Sequence, residues 1–99
     1  MAQLGLAPQA RHDLDQIWDY IFGETGNEAA ADRTIDMIVE RFSLLAEWPL
    51  IGRKRDELRR GLRSYPAGNF VIFYRMENAD LVVLRVLHAR RDIPVFFRD

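Results

Sequence analysis

The spacing of apolar side chains changes character along the chain, and each change marks an element. Leu4 and Leu6 alternate within residues 2–7, AQLGLA, which predicts a short first strand. Pro8 follows, at the position where a helix tolerates proline best. Ala10, Leu14, Ile17, Trp18, Ile21 and Phe22 then trace one helical stripe, with Arg11, Asp15 and Asp19 on the other side. GETG, residues 23–26, is predicted to break that helix with its two glycines. Asn27 is suited to cap a second helix and Glu28 to its first turn. Ala31, Ile35, Ile38, Phe42 and Leu45 recur at helical spacing, and Pro49 sets the end at Trp48. The short link makes the two helices an antiparallel hairpin.

After a polar, basic loop at 50–60, with one helical turn expected at RDEL, the period becomes that of strands. GLRSY (61–65), FVIFYRM (70–76) and LVVLRVLH (81–88) are rich in strand formers. PAGN (66–69) and ENAD (77–80) are the turns between them. Strict alternation puts Arg85 on one face with Val83 and Leu87. Pro94 and the VFF run are read as a short final helix or an extended tail that packs back. The fold class is α+β, in the order β-α-α-β-β-β, with the helical hairpin packed on an antiparallel sheet. Residues 1–99 are read as a single domain.

Composition narrows the class. An apolar fraction of 48% with 29% charged residues is that of a soluble globular protein. The chain has no cysteine, which excludes disulfides and thiolate metal sites and fits a cytoplasmic location. No apolar run reaches the roughly 20 residues of a membrane span. MAQLGLAPQA lacks a basic start and a long apolar run, so no secretory signal is expected. Net charge is −1, but residues 1–50 carry three basic and nine acidic side chains (−6), whereas 51–99 carry eleven and six (+5). Such a dipolar chain points to an anionic partner, or to an acidic helical face that balances a basic sheet.

Enzyme chemistry finds little to stand on. Ser64 near His88 is the one conceivable nucleophile–base pair, and no motif surrounds it. Two isolated histidines, His12 and His88, make no metal site, and no nucleotide-binding fingerprint is present. No cofactor and no metal are expected. The basic set remains, with Arg63, Arg85, Arg90 and Arg91 as candidates to bind an anionic target surface.

GRKRDELRRGLRSYPAGNFVIFYR (52–75) and RVLHARRDI (85–93) resemble the ParE branch of the ParE/RelE toxins of bacterial toxin–antitoxin modules. LAPQARHDLDQIWDYI (6–21), the second helix and the link made by Pro49, Gly52 and Arg53 resemble it too. The resemblance implies the fold just read, a ParD-like antitoxin whose C-terminal arm wraps the toxin, and inhibition of DNA gyrase with no catalysis by the chain itself. It implies no membrane partner and no sequence-specific nucleic-acid binding. Trp18, Ile21, Phe22, Trp48, Phe96 and Phe97 are the candidates for antitoxin contact. The RelE branch is the alternative. Its members cut messenger RNA on the ribosome, and here Arg63, Arg85 and His88, with Glu57, would have to supply the cations and the acid–base groups. Phe96 and Phe97 stand where such a nuclease often has tyrosine, and Lys54 is the single lysine.

Overall fold

In the computed structural model, which describes residues 3–97, the first apolar pair forms β1 (Leu4–Leu6) and Pro8 opens α1 (Pro8–Thr25). Ala2, included in the expected first strand, lies outside the described residues. The helix runs through Gly23 and stops at Gly26, whose φ of 64° lets its N–H close back on the Phe22 carbonyl. The break expected from GETG therefore falls three residues late. One glycine costs a helix only about 1 kcal/mol, whereas a left-handed cap demands one. Asn27 caps α2 (Glu28–Glu47) by accepting from the Ala30 N–H through Oδ1 (3.2 Å).

The remaining strands are β2 (Arg53–Lys54), β3 (Arg63–Ala67), β4 (Phe70–Glu77) and β5 (Asp80–His88), followed by a 3₁₀ turn at Ile93–Phe97. They form one sheet in the order β1-β5-β4-β3-β2. The α+β class holds, and two details differ from expectation. The sheet is mixed, because β1 lies parallel to β5 while every other pair is antiparallel. The loop at 50–60 also contributes β2, too short for any periodicity to announce. Within that loop the turn at RDEL is present, held by the Arg55 carbonyl accepting from the Leu58 and Arg59 N–H groups (3.0 and 3.2 Å). β3 runs on through Pro66 and Ala67, where a turn is expected from the residue types. Proline is tolerated there because β2 pairs only with Arg63 and Ser64, so no partner needs the missing N–H.

The hairpin covers one face of the sheet. Ile17, Ile38 and Phe42 pack there against Ile72, Tyr74 and Val83. The opposite face has a smaller core of Leu62, Phe73, Leu87 and Phe97, closed by the loop before β3 and by the 3₁₀ turn. Tyr74 is fully buried, donates its hydroxyl to the Pro49 carbonyl (2.7 Å) and accepts the Gly52 N–H (3.0 Å). A side chain at Gly52 would collide with that hydroxyl, which is the physical reason for glycine at this point of the link.

Strict alternation fails in β5. Phe73 pairs with Arg85 but Tyr74 pairs with Val83, so Leu84 is an extra residue in the strand. Val83 therefore belongs to the helix-side core, while Leu84 and Leu87 lie against the opposite one. Arg85 does not share a face with Val83, contrary to the alternation.

Candidate functional site

β1 covers the edge of β5 only as far as Val83, whose carbonyl accepts from the Ala7 N–H (2.9 Å). Beyond that point the chain has turned into α1, and Asp13 takes the place of the missing strand. Its Oδ2 accepts the Val86 N–H (2.9 Å) and the Arg85 Nε–H (2.8 Å), and its Oδ1 accepts from Arg85 Nη2 (2.9 Å). Asp13 is 3% exposed and the Arg85 side chain 19%. The Asp13 bond raises the Arg85 pKa above its usual value, against the opposing pull of burial. A charge-assisted fork of this kind closes an edge that would otherwise stay open.

A groove of about 360 Å³ lies between α1 and the free end of β5. Ile17 and Tyr20 form one wall, and Phe70, Val86, His88 and Arg90 the other. The Ala89 N–H donates to the Asn69 carbonyl, which sets the ladder so that Leu87 and Arg85 face β4 with their backbone groups. Val86 and His88 turn theirs toward the groove. His88 is itself engaged. Its Nδ1 accepts the Arg90 N–H (3.1 Å), and its ring stands edge-on to Phe70 with centroids 5.4 Å apart.

The four candidate arginines do not form one cluster. Arg63 donates through Nη1 to the carbonyls of Leu50 (3.2 Å) and Gly52 (2.8 Å), fastening the turn before β2. Arg85 is held by Asp13 and also lies over the Phe96 ring (4.9 Å). Arg91 covers Phe96 as well (5.1 Å), while Arg90 lines the groove. Arg63 pairs across strands with Tyr74 on the helix side, and Arg85 with Phe73 on the other. His88 is level with Ala67, at the far end of β3 from Arg63. That places them about 13 Å apart along the strand and about 10 Å across it. Glu57 hydrogen-bonds Arg55 (2.8 Å), which lowers its pKa below the usual carboxylate value.

The apolar candidates divide as well. Trp18 stacks on Phe22 (5.3 Å) and donates its indole N–H to Asp32 (2.8 Å), while Ile21 packs against the helix-side core. Phe22 and Trp48 are exposed. Phe97 is buried against Phe73 (4.9 Å), so its ring closes the chain's own second core and offers no surface. Phe96 lies under the two guanidinium groups.

Sequence reasoning missed Asp13 and Tyr74. Asp13 had a readable signal, since it stands three residues after Ala10 and four before Ile17, on the buried stripe of α1. Tyr74 gave none, because a tyrosine in an apolar strand is ordinary until its hydroxyl finds partners. Among the described residues no three His, Cys, Asp or Glu converge as a metal site, and no helix is long and apolar enough to cross a membrane.

A two-helix hairpin over one face of a sheet is, apart from the parallel β1, the fold that the resemblance to the ParE/RelE toxins implies. The chain belongs to the ParE family. A family model described as the ParE toxin of the type II toxin–antitoxin system parDE matches residues 4–93. The chain is 36% identical over 91 residues to Toxin ParE1 of Mycobacterium tuberculosis, covering 89% of this chain and 90% of that one. It is 38% identical over 85 residues to Toxin ParE1 of Caulobacter vibrioides (84% of each) and 32% over 90 residues to Toxin RelE3 of the same organism (90% and 96%). A solved structure of the chromosomal ParDE TA system from P. aeruginosa shares the fold with a TM-score of 0.78 at 24% identity, over 89% of this chain and 96% of that one. The chain is thus a ParE-type toxin of a type II toxin–antitoxin module.

Proposed function

We propose that this toxin acts in the cytoplasm by inhibiting DNA gyrase and that a ParD-like antitoxin neutralises it. The observation that carries the choice over RNA cleavage is the dispersal of the groups a nuclease would need. Arg63 is fastened to two carbonyls, Arg85 to a buried carboxylate, and His88 to a backbone N–H at the other end of the sheet. Phosphodiester transfer needs its base and cations within hydrogen-bond reach of one phosphate, and these three do not meet. The likeness to Toxin RelE3 keeps ribosome-dependent RNA cleavage as the second reading.

The groove at the β5 edge suits the antitoxin arm. It has an apolar floor, an outward Val86 carbonyl and His88 N–H, and Arg90 and Arg91 at its lip for carboxylates; the Val86 N–H and the His88 carbonyl are already taken by Asp13 and by the Arg91 N–H. The shared fold with a chain of the P. aeruginosa ParDE system supports a partner of this kind. The test sets the purified chain against gyrase and supercoiled DNA, and separately against translating ribosomes. Trapped DNA cleavage, reversed by the antitoxin, with intact messenger RNA is the expected result. Cuts in the ribosomal A site that vanish in His88→Ala would establish the RNA reading in its place.

A further inference from the structure

Three large apolar side chains crowd one short exposed segment at 48–51. Trp48 is 55% exposed, Leu50 70% and Ile51 45%. Scattered surface leucines need no explanation, but neighbouring ones on one turn do. This turn is also held unusually firmly. The Ile51 N–H closes on the Trp48 carbonyl (3.2 Å), the Tyr74 hydroxyl ties Pro49 to Gly52, and Arg63 holds the Leu50 and Gly52 carbonyls from the other side. A fully buried tyrosine and an arginine are thus spent on fixing a surface loop. Apolar side chains carried on a backbone that is fixed before contact lose less entropy on docking, which is the property of an interface anchor.

Charge supplies the second observation. The turn runs directly into β2, the outermost strand, where Arg53 and Lys54 are exposed. The nearby carboxylates are engaged, because Asp56 accepts the Gly61 N–H and Glu57 bonds Arg55. Among the described residues, Arg53, Lys54 and Arg60 have no ion pair. Residues 53–60 hold five basic side chains against two acidic ones, so the edge is an apolar knob beside an excess of positive charge.

We propose that this turn and the β2 edge form the surface by which the toxin engages its protein target, seating Trp48, Leu50 and Ile51 in an apolar pocket rimmed by acidic residues. The inference rests on the toxin reading above. A folded target is favoured over the antitoxin arm because the side chains project. A projecting knob fits a pocket in a folded surface, whereas a flexible arm gains most by filling a groove, and the groove lies at the opposite side of the sheet, about 14 Å away across three strand spacings. Three neighbouring aliphatic and aromatic side chains favour protein over a nucleic-acid backbone, which is held by cations and hydrogen-bond donors and offers no apolar pocket.

The test compares the unsubstituted toxin, Trp48→Ala with Leu50→Asp, and Arg53→Glu with Lys54→Glu. Thermal melting checks the fold, since all four positions are exposed. Growth arrest on induction, gyrase-dependent DNA cleavage and affinity for the antitoxin are then measured. The expected result is that each double variant loses roughly 30-fold or more in growth arrest and target inhibition while antitoxin affinity stays within about threefold. Undiminished arrest by the Trp48/Leu50 variant, or an equal loss of antitoxin affinity, would overturn the proposal. Loss in the charge variant alone would overturn it in favour of a nucleic-acid surface. A concentration-dependent dimer of the unsubstituted chain, abolished by Leu50→Asp, would assign the turn to a second copy instead. Growth arrest relieved by the variants without any gyrase cleavage leaves this surface standing and removes gyrase as the target. Cleavage trapped equally by all three proteins does the reverse.

Discussion

Asp13 serves backbone and side chain at once, and its replacement separates the two roles. Asp13→Ala leaves the Arg85 guanidinium and the Val86 N–H without their acceptor. The expected loss is about 3 kcal/mol, toward the lower end for a broken buried pair because Arg85 keeps some exposure. Removing the charge as well, in Asp13→Ala with Arg85→Met, should restore much of it. Urea denaturation measures both, and equal losses in the two would mean that only the Val86 bond matters. Tyr74 makes a different prediction. Burial, above all, pushes its hydroxyl pKa above the usual value of 10.0. The folded protein therefore keeps a proton that the unfolded chain has begun to release. That contribution is fully present below pH 10 and is lost as pH rises through the folded value. Tyr74→Phe should cost about 1–3 kcal/mol at neutral pH, by leaving the Gly52 N–H unpaired, and should flatten the alkaline fall in melting temperature. An alkaline limb as steep as the unsubstituted protein's would show that other groups cause it.

At the scale of elements, local chemistry set where helices begin and tertiary contact set where strands end. Asn27 caps α2 as its residue type predicts, and Asn27→Ala should cost about 1 kcal/mol, read as a drop of several degrees in melting temperature. The end of β3 was not legible. Pro66 and Ala67 carry turn chemistry, yet β4 pairs with both, and only the shortness of β2 makes proline harmless there. The segment Ile93–Phe97 was open between helix and tail, because five residues with one proline satisfy either. Its conformation follows from Phe97 seating against Phe73. Phe97→Ala should cost about 3–5 kcal/mol, whereas Val95→Ala, on the exposed side, should change stability by no more than about 0.5 kcal/mol.

Across the whole molecule the basic half of the chain divides between two sheet edges. Arg90 and Arg91 stand at the β5 groove, and Arg53 and Lys54 on β2. Arg90→Glu with Arg91→Glu should weaken antitoxin binding, most at low salt, where the screening length exceeds ~10 Å. Each alanine change alone should cost only about 0–1 kcal/mol. The fold should survive the double reversal with a small loss, since Arg91 gives up its place over Phe96. Calorimetric titration with the antitoxin at two salt concentrations checks this. Salt-independent affinity in both proteins would remove the arginines from the interface.

The sequence alone determined the helical hairpin, the three long strands and the toxin resemblance, because each rests on periodicity, capping or a contiguous motif. The tertiary structure alone decided that the sheet is mixed, since a three-residue strand has no pattern that distinguishes parallel from antiparallel pairing. It also decided the roles of the arginines. Alternation assigned Arg85 to a face with Val83, and one extra residue at Leu84 reversed that. A bulge carries no signature in an apolar strand. Nor does a sequence say that a carboxylate 72 residues away will reach a given arginine. Charge along the chain shows how many cations there are, but burial and partners, which exist only once the chain has folded, show which remain available.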